Sequence, residues 1–526
     1  MKPPSAQPNL IQIIADQHHA GLMGCAGHPQ ALTPNLDALA AEGVRFEAAY
    51  AQNPICTPSR VSVLSGQYCH NTGFFGLSGP TPTALPHFLG HFRAHGYRTG
   101  AFGKLHLPFQ TDGNWLRRDV DRLADSYESS DGRLGRSEFF NELEAVGLRE
   151  KEDSWHNPHC YGEASIALDA MPSELPYEYT QERWCVREAL KFIDEERRHA
   201  DAPGEPPPFC LQLAFQKPHH PLLPQKQFWD LYPEDLDLPE TIDQDPAHRP
   251  PHFQAEWQAM RERTWEYART GETWRDGARR AWRGTLACIS QIDDVIGHLL
   301  RGLEARGMRE NTLIVYHSDH GCYHGIHGIA EKAPGICSDA VCRVPMIWSG
   351  PGVTVAGQTS AALVENLDIG PTAASLCGLP TMDWIDGCDL SPLLRGDAKG
   401  VKEVAVTENV WAKSIRWGRW RFVYYPPNLF DGKDVGELYD LENDPQETRN
   451  LYHDPEHRGQ LESCRARLLQ WMVETRRVIT TQPALARERR PGDTASGGKI
   501  DLAPDGRLKK GRGPAALSRL GKVNYL

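Results

Sequence analysis

The sequence predicts an α/β fold, a large mostly parallel sheet with helices on both faces, followed by a small C-terminal α+β domain with an antiparallel sheet. Three observations support this prediction. Short apolar runs alternate with helical patterns up to about residue 400, as in sheets whose parallel strands are joined by helices. Several of these runs stop at polar residues, as expected at a sheet edge that binds ligands. Beyond about residue 400 the apolar runs are short and closely spaced, which is typical of antiparallel strands.

The predicted elements begin with the apolar strand Leu10–Ala15, which Asp16 follows directly. A helix is predicted between Thr33 and Gly43, since Thr suits the N-cap, Pro34 the first turn and Gly the position after the end. Two more helices and two strands follow before the middle of the chain. They are a helix that ends before Gly66, the helix Pro86–His95, and the strands Arg98–Phe102 and Phe209–Phe215.

The second half predicts one long amphipathic helix and a further group of strands. The segment from Leu222 to Arg280 is rich in Pro, Trp and charge, so we interpret it as an irregular insertion. The later elements are the long helix at about Thr285–Arg306, strands Thr312–His317 and Val344–Trp348, and, after Gly400, strands 403–410, 414–417, 419–425 and 437–440 with a helix at about 458–478.

Three domains follow from this order of elements. Residues 1–400 form the predicted catalytic domain, and residues 401–480 form an antiparallel sheet with one helix. Residues 481–526 are rich in Gly, Pro, Arg and Lys, as in a disordered tail or an arm that packs on another subunit. We therefore expect a homo-oligomer.

Length and charge exclude several classes of function. The chain has 526 residues, a length that exceeds what a single hydrophobic core of ordinary size accommodates. Its composition, 40% hydrophobic and 24% charged, is that of a globular protein. Its net charge of −12 argues against nucleic-acid binding. The sequence has no apolar run long enough to span a membrane. We expect neither a nucleic-acid nor a membrane partner, and an anionic substrate needs a local positive site.

The cysteines and the N-terminal segment favour the cytoplasm. Thirteen cysteines are scattered without a framework spacing, which favours reduced thiols over a disulfide scaffold. The first residues, MKPPSAQPNLIQIIADQ, show no apolar region followed by a cleavage site. We therefore expect a cytoplasmic protein.

One segment, NPICTPSRVSVLSGQY (residues 53–68), places a lone cysteine at the predicted start of a helix. Pro58 suits the first turn, and Gly66 follows the end. Cys56 then lies where free N–H groups and the helix dipole favour anions, with Arg60 one turn further on. On spacing alone, a reactive low-pKa cysteine and an inert structural one are equally open.

The wider pattern resembles the signature of the type I sulfatases, in which this cysteine is converted to formylglycine after translation. The matching residues are Cys56, Pro58, Ser59, Arg60 and Leu64-Ser65-Gly66. The motif is short but specific, because a modifying enzyme reads it. The resemblance implies formylglycine at position 56, a formylglycine-generating enzyme as maturation partner, and the alkaline-phosphatase-like form of the α/β fold.

The resemblance continues over most of the chain, in the order of the family's motifs. It is nearest to the choline-sulfatase, arylsulfatase and phosphonate monoester hydrolase branches. The further matching segments are Asp16-Gln17, Thr33 to Phe46, Gly103-Lys104 with His106, Lys217-Pro218-His219 with Pro221, Ser318-Asp319-His320-Gly321, Lys332, Arg343-Val344-Pro345, Gly350-Pro351-Gly352 and residues 437–451.

Two polar pairs, Asp16-Gln17 and Asp319-His320, follow strands that are distant in sequence. Neighbouring parallel strands bring both pairs to one edge, and three of the four side chains offer the oxygen that hard cations prefer. The resemblance adds Cys56 as a ligand and implies one divalent ion. The commonest family set has two Asp in the first pair and Asp-Asn in the second. We expect Ca²⁺ at this site. Mn²⁺ is the alternative, because His320 departs from the commonest family set.

The resemblance also assigns catalytic roles to the other motif residues. Lys104 and Lys332 neutralise charge on a tetrahedral anion, and Arg60 holds the geometry around position 56. His219 protonates the leaving alcohol or phenol, and His106 orients or deprotonates the aldehyde hydrate. In the implied mechanism one hydroxyl of the hydrate attacks sulfur and the second later expels sulfate, a release step that a thiol lacks.

The predicted function is therefore a sulfuric ester hydrolase that cleaves a small aryl or alkyl sulfate. The alternative is a phosphonate monoester or phosphodiester hydrolase with the same formylglycine; Lys104 with His106 favours sulfate. More distant alternatives are a two-zinc phosphatase and a catalytically silent protein that docks through its basic tail, Arg487 to Lys522. Four further histidines lie near the predicted metal strands, namely His18, His19, His324 and His327. The open interpretations are residues of a substrate pocket, a second metal site, and loop histidines packed by their neighbours, of which the last is favoured for each histidine taken alone.

Overall fold

A computed structural model describes most of the chain up to Arg476, and these residues form one compact unit. The predicted tail, residues 481–526, lies outside the described residues, so its role as an oligomerisation arm stays a prediction. The described ranges are 7–77, 85–110, 113–126, 137–152, 170–199, 207–262, 273–332 and 337–476.

The strands fall into three sheets, and the helices are distributed along the whole described chain. The strands are β1 Asn9–Asp16, β2 Val44–Tyr50, β3 Arg98–Gly103, β4 Phe109–Gln110, β5 Gly113–Asn114, β6 Arg122–Asp125, β7 Phe209–Pro218, β8 Thr312–Ser318, β9 Arg343–Val344, β10 Met346–Ser349, β11 Gln358–Glu365, β12 Val404–Glu408, β13 Lys413–Trp417, β14 Trp420–Tyr424 and β15 Gly436–Asp440. The helices are α1 Pro34–Glu42, α2 Cys56–Ser65, α3 Cys69–Thr72, α4 Phe88–Ala94, α5 Glu138–Ala145, α6 Gln181–His199, α7 Lys226–Trp229, α8 Pro251–Glu262, α9 Trp274–Glu304, α10 Asp339–Cys342, α11 Ile369–Leu376, α12 Ser391–Leu394 and α13 Arg458–Thr475.

The large sheet is mostly parallel, which confirms the predicted fold class. Among the described residues it has nine strands in the order β11-β2-β10-β8-β1-β7-β3-β6, with β9 beside β2. The strands from β8 to β6 run parallel to one another, whereas β10 runs antiparallel to both of its neighbours. The central strand β1 is buried along its whole length.

Alternate residues of β1 pack into two different cores, one on each face of the sheet. Leu10 and Ile14 belong to the core that contains Val61 of α2 and Phe88 of α4. The two isoleucines between them belong to the core that α1, α6 and α9 cover. Because successive strand side chains point to opposite faces, a short apolar run without polar alternation is what a strand buried on both sides requires.

The start and end of α1 differ from the predicted capping. The hydroxyl of Thr33 does not cap the helix; it donates to Asp37 at 3.0 Å. Instead Asp293 of α9 accepts hydrogen bonds from the backbone N–H groups of Asn35 and Leu36 at 3.1 and 2.7 Å. Gly43 follows the helix as predicted, but its φ of −138° is not left-handed. A Cβ there would lie 2.0 Å from the carbonyl oxygen of Trp348, so close packing explains the glycine.

The small sheet is antiparallel, in the order β12-β13-β14-β15, as predicted. Its core is shared with the rest of the molecule. One apolar cluster contains Val406 of β12, Ile415 of β13 and Trp471 of α13. The same cluster contains Tyr68 and Leu367, which belong to the first 400 residues. The small sheet is therefore joined to the first 400 residues by a continuous apolar contact.

Every cysteine in the described part of the chain is a free thiol. None of the described helices has the length and apolar character that crossing a membrane requires.

Candidate active site at the carboxyl edge of the large sheet

Four polar residues follow the ends of four adjacent parallel strands. Asp319 comes after β8, Asp16 ends β1, His219 comes after β7 and Lys104 comes after β3. The register aligns Ala15 with Ser318, so both aspartates lie at the same level of the sheet. Parallel strands present their carboxyl ends at one edge, which is where α/β sheets bind ligands.

Arg60 joins the two aspartates from the second turn of α2. Its Nε donates to Oδ2 of Asp319 at 2.8 Å, and its NH2 donates to Oδ2 of Asp16 at 3.1 Å. A third hydrogen bond runs from NH1 to the carbonyl oxygen of Lys104. All three charged side chains are fully buried. A buried guanidinium needs such complete pairing, because an unpaired buried charge is strongly destabilising.

The remaining carboxylate oxygens face His320. Its Nε2 lies 3.8 Å from Oδ1 of Asp16 and 3.8 Å from Oδ1 of Asp319. Within the described ranges, Oδ1 of Asp16 is buried and has no hydrogen-bond partner. Together with the thiol of Cys56, these ligand atoms all lie within 4.8 Å of one another. Two carboxylate oxygens and one imidazole nitrogen suit a hard to borderline divalent cation.

The charges around this cluster shift the pKa values of Asp16 and His320 in opposite directions. Burial alone would raise the pKa of Asp16, but Lys104, His219 and Arg60 hold it well below its usual value. Burial also opposes the charged form of His320, yet the carboxylate of Asp319 raises its pKa. The converging ligand atoms and the unpartnered Oδ1 of Asp16 fit a bound cation, and sequence reasoning had named each of these residues.

Cys56 is the first residue of α2 and is buried. Ser59 anchors this helix start, since its hydroxyl donates to the carbonyl oxygen of Asp319 at 2.5 Å. Burial would raise the pKa of the Cys56 thiol, but Lys332 and His320 lower it below the usual value. Position 56 thus stands next to both the candidate cation ligands and a lysine.

Lys104 and His106 follow β3 on the other side of Asp16. The Nζ of Lys104 lies 2.8 Å from Oδ2 of Asp16, and the lysine is fully buried. His106 has a left-handed φ of 46°, which is uncommon without glycine and fits a functional turn. Burial, then the charges of Lys104 and Arg60, lower the pKa of His106 to about 3, so its ring is neutral.

His219 and Lys332 form a second polar pair beside Cys56. The Nδ1 of His219 donates to the carbonyl oxygen of His220 at 2.7 Å, so in the neutral ring Nε2 carries the lone pair. That Nε2 accepts from Nζ of Lys332 at 3.3 Å. Burial, then Lys104 and His220, hold the pKa of His219 well below its usual value.

Gln17 has all of its polar groups engaged. Its N–H donates to Asp319 at 3.1 Å, its side-chain oxygen accepts from Lys332 at 2.8 Å, and its side-chain nitrogen donates to the sulfur of Cys322 at 3.0 Å. Its carbonyl oxygen accepts from Nε2 of His324 at 3.3 Å, and its φ is 74°. The predicted metal ligand is therefore also the residue that orients Lys332.

Sequence reasoning did not name Cys322 or assign a contact to His324. Both lie in the loop after β8 and contact Gln17 of the other polar pair. No sequence pattern indicates them, because each is a single residue whose partner is about 300 positions away. The short spacing of polar residues between Asp319 and His327 was the only signal available.

A second group of possible metal ligands consists of His219, His220 and Glu331. Lys332 lies inside this group, with Nζ 3.3 Å from His219 and 3.6 Å from Glu331. Its positive charge disfavours a cation there, which argues against the two-zinc hypothesis. The predicted histidines His18, His19, His324 and His327 form no metal-sized cluster in the part of the chain that the structure describes.

Two family models match this chain. The family model described as Sulfatase matches residues 8–379. A second model, described as N-sulphoglucosamine sulphohydrolase, C-terminal, matches residues 325–474.

Relatives and solved structures are similar over most of the chain. A choline-sulfatase from Rhizobium meliloti (strain 1021) is 28% identical, over 86% of this chain and 83% of the relative. An arylsulfatase from Clostridium perfringens (strain 13 / Type A) is 27% identical, over 88% of this chain and 94% of the relative. The crystal structure of a phosphonate monoester hydrolase of Agrobacterium radiobacter shares the fold with a TM-score of 0.71 and 20% identity, covering 89% of this chain and 96% of that one.

The family model spans well over half of the chain, and the predicted motifs converge on one edge of the sheet. This chain belongs to the sulfatase family of the alkaline phosphatase superfamily and is a sulfuric ester hydrolase.

Proposed function

We propose that this chain hydrolyses the sulfate ester of a small organic molecule through a formylglycine made from Cys56, with one divalent cation. The observation that carries the proposal is the convergence of Asp16, Cys56, Asp319 and His320, whose ligand atoms lie within 4.8 Å of one another. The reaction adds water across the ester, so that the S–O bond breaks and the products are an alcohol or phenol, sulfate and a proton.

Two lysines are available to bind the sulfate group. Lys104 approaches Asp16 from β3, and Lys332 lies close enough to Cys56 to lower its pKa. Burial opposes the charged form of Lys332, but Cys56 and Glu331 raise its pKa, so this lysine stays charged. The two ammonium groups favour an anionic sulfate and stabilise charge on its oxygens during displacement.

Position 56 is the proposed nucleophile. A formylglycine hydrate supplies one hydroxyl to attack sulfur and a second to release sulfate. A neutral His106 is able to accept a proton from such a hydroxyl, and its pKa of about 3 keeps it neutral at physiological pH. The start of α2, anchored through Ser59 and Arg60, fixes the position of this group against the cation ligands.

His219 is the proposed acid for the leaving group. Its Nδ1 is held by a carbonyl oxygen, so Nε2 is the atom that must deliver the proton. Lys332 is hydrogen-bonded to that Nε2 at 3.3 Å. A bound sulfate offsets the positive charge of Lys104 and Lys332, which favours protonation of His219 just when the leaving oxygen needs it.

Asp16, Asp319, His320 and position 56 are the proposed cation ligands, with Gln17 beside them. A divalent ion held by these residues would supply Lewis-acid chemistry to the sulfate ester and to the hydroxyl at position 56. The carboxylate oxygens support Ca²⁺, whereas the imidazole of His320 supports Mn²⁺.

The mass of the peptide that carries position 56 tests the mechanism. The protein should be produced with a formylglycine-generating enzyme, beside a known sulfatase as a positive control. We expect the aldehyde mass in both proteins and turnover of an aryl sulfate. An unmodified thiol in this chain, with the control converted, would contradict the proposed nucleophile.

The alternative is a phosphonate monoester or phosphodiester hydrolase with the same formylglycine. It is favoured by Gln17 and His320, which depart from the commonest sulfatase ligand set, and by the shared fold of the phosphonate monoester hydrolase. Comparing kcat/KM for an aryl sulfate and for an aryl phosphonate monoester under identical conditions decides between the two. Higher kcat/KM for the phosphonate would replace the first proposal by the second.

We further propose a cytoplasmic location and a homo-oligomeric state, with the formylglycine-generating enzyme as a transient partner. The free thiols of the described cysteines fit a reducing compartment. Cell fractionation tests the location, since recovery of the native protein outside the cytoplasm would contradict it.

A further inference from the structure

The strand β7 continues past the regular part of its ladder, up to the residue before His219, the proposed leaving-group acid. Its pairing with β3 ends where Gly103 lies opposite Ala214. Its register with β1 shifts after Ala214. The N–H groups of Gln216 and Lys217 lie in this irregular stretch, and buried backbone donors need an acceptor because leaving them unpaired is costly.

Two side chains at the start of α6 supply these acceptors. Oε1 of Gln181 accepts from the N–H of Gln216 at 3.1 Å, and Oε1 of Glu182 accepts from the N–H of Lys217 at 3.2 Å. The side-chain nitrogen of Gln181 also donates to the carbonyl oxygen of Ala214 at 3.1 Å. Two adjacent residues of one helix thus bind the backbone of β7 where its neighbouring strands no longer do so regularly.

Glu182 also pairs with the side chain of Lys217. Its Oε2 lies 3.5 Å from Nζ of Lys217, and both residues are buried. A buried ion pair is weak evidence for stability, because the loss of hydration offsets the attraction between the charges. The clearer consequence is geometric: one carboxylate holds both the backbone and the side chain of Lys217.

The backbone that Glu182 holds leads directly to the proposed acid. Pro218 alone separates Lys217 from His219. The N–H of His219 donates to the carbonyl oxygen of Gln216 at 3.0 Å, and its Nδ1 donates to that of His220 at 2.7 Å. The ring is therefore tied to its own loop, so Nε2 moves with the loop when the end of β7 moves. A misplacement of about 1 Å can lower a catalytic rate about 10²-fold.

We propose that Glu182 is a positioning residue for the leaving-group acid, and that its acceptor oxygen for the Lys217 N–H, rather than its charge, keeps Nε2 of His219 in place. The neutral amide of Gln181 does the same for Gln216, so acceptance is what the two side chains share. This inference rests on the proposed function, in which His219 protonates the leaving oxygen. Loss of the acceptor should slow esters that need this proton more than esters that do not.

Two aryl sulfates separate these cases in the formylglycine-containing, metal-loaded protein. The 4-methylphenyl ester releases a phenol like that of tyrosine, with a pKa of about 10, which leaves poorly without a proton. The 4-nitrophenyl ester releases a phenolate that its nitro group stabilises, so it depends less on an acid. The ester ratio is kcat/KM for the 4-nitrophenyl ester divided by kcat/KM for the 4-methylphenyl ester. His219→Ala sets the scale, because loss of the acid should raise this ratio.

The decisive variants are Glu182→Gln with Lys217→Met and Glu182→Met with Lys217→Met. Both remove the buried ion pair without leaving an unpaired charge. Gln and Met have similar shapes, so the two variants differ mainly in the acceptor for the backbone N–H. Should the second variant not fold, Glu182→Asp replaces it with the same expectation, because the side chain that is shorter by one methylene withdraws its oxygen from that N–H.

The matched control exchanges an acceptor at the other end of the sheet. Oδ2 of Asp121 accepts from the N–H of Thr99, near the amino end of β3, at 2.8 Å. Asp121→Asn keeps an acceptor there and Asp121→Leu removes it, so this pair repeats the comparison away from His219. Both controls should keep the wild-type ester ratio, even where the Tm falls.

We expect the ester ratio to rise about tenfold in Glu182→Met with Lys217→Met, and to stay within about twofold of the wild type in Glu182→Gln with Lys217→Met. Equal ester ratios in these two folded variants, an equal fall in kcat/KM for both esters, or the same rise in Asp121→Leu overturns the inference and leaves the proposed function standing. No turnover of either ester by the wild-type protein, or an unchanged ratio in His219→Ala, contradicts the proposed function and the inference with it.

Discussion

The carboxylates of Asp16 and Asp319 each divide their two oxygens between different partners. In both, Oδ2 pairs with Arg60, while Oδ1 faces His320. The guanidinium therefore ties the two carboxylates together through Oδ2. It leaves Oδ1 of Asp16 without a hydrogen-bond partner among the described residues, whereas Oδ1 of Asp319 accepts the backbone N–H groups of Gln17 and His320 at 3.1 and 2.9 Å. A lysine at position 60 could not do this, because one ammonium lacks the planar fork that binds two carboxylates at once.

Replacement of Cys56 tests the role of this position directly. Cys56→Ala should lower kcat/KM for an aryl sulfate by at least about 10³-fold, because the precursor of the nucleophile is gone. Circular dichroism and thermal unfolding should show a folded protein. The control is Cys288→Ala, a buried cysteine of α9 outside the site, which should keep its activity. Retained turnover in Cys56→Ala would rule out catalysis through position 56.

Asp293 has a structural role that depends on two elements at once. It lies in α9, yet it accepts two backbone N–H groups at the start of α1, and also the side-chain nitrogen of Asn35 at 2.8 Å. The first N–H groups of a helix have no partner within the helix. The long helix thus supplies the cap that Thr33 does not, and it positions α1 against the sheet.

Removal of this cap should destabilise the protein. Asp293→Ala leaves one buried donor, on Leu36, and two part-buried donors, on Asn35, without an acceptor, which costs about 2–4 kcal/mol of unfolding free energy. Urea unfolding followed by tryptophan fluorescence measures the change. Glu304→Ala, at the exposed end of the same helix, should change stability by less than about 0.5 kcal/mol. Equal stability of the two variants would show that the cap contributes nothing.

Asp293 also makes the free energy of unfolding depend on pH. Burial raises the pKa of Asp293 to about 6, above its usual value of 3.8. The folded state then binds more protons than the unfolded state between pH about 4 and 6, so this residue's contribution to stability falls as pH rises through that window. A shift of this size corresponds to about 3 kcal/mol. The stability of wild type relative to Asp293→Asn should therefore be lower at pH 7 than at pH 4, and a difference independent of pH would contradict the raised pKa.

At the scale of the whole molecule, the site is a junction between distant parts of the chain. Strand ends from β1, β3, β7 and β8 meet the start of α2 there, and the cores on both faces of the sheet hold them in register. A cation bound by Asp16, Asp319 and His320 would link these parts. Its binding free energy would then add to the stability of the folded state.

Removal of the cation should therefore affect both activity and stability. After treatment with a chelator, aryl sulfate turnover should fall to background and the Tm should drop. Titration with Ca²⁺ or Mn²⁺ should restore both, with elemental analysis giving about one ion per chain. Asp319→Asn should weaken the response to added ion. An unchanged Tm and activity in fully metal-free protein would exclude a cation at this site.

The predicted oligomerisation arm is tested by truncation. Light scattering after size exclusion should give a multimer for the full chain and a smaller species for a chain that ends at Arg476, where the compact unit ends. The basic composition of residues 481–526 is the reason for this expectation. Identical masses for the two chains would contradict an oligomerisation role of the tail.

Much of the fold was predictable because its signals are local. The apolar runs at β1, β7 and β8 are buried on both faces, so their composition alone marks them as central strands. The polar pairs at their ends follow from the same rule, since parallel strands bring their carboxyl ends to one edge. The bounds of α2 were also predictable, since Gly66 adopts a left-handed φ of 68° after its last turn.

The sequence by itself indicated the pairs Asp16-Gln17 and Asp319-His320 through the ends of their strands, and it indicated Cys56 and Arg60 through the family motif. Only the tertiary structure decided which oxygen of each aspartate pairs with Arg60, that Gln17 orients Lys332, and that Asp293 caps α1. The physical reason is distance along the chain: periodicity and capping act over a few residues, whereas these hydrogen bonds join groups hundreds of residues apart, and only packing sets their geometry.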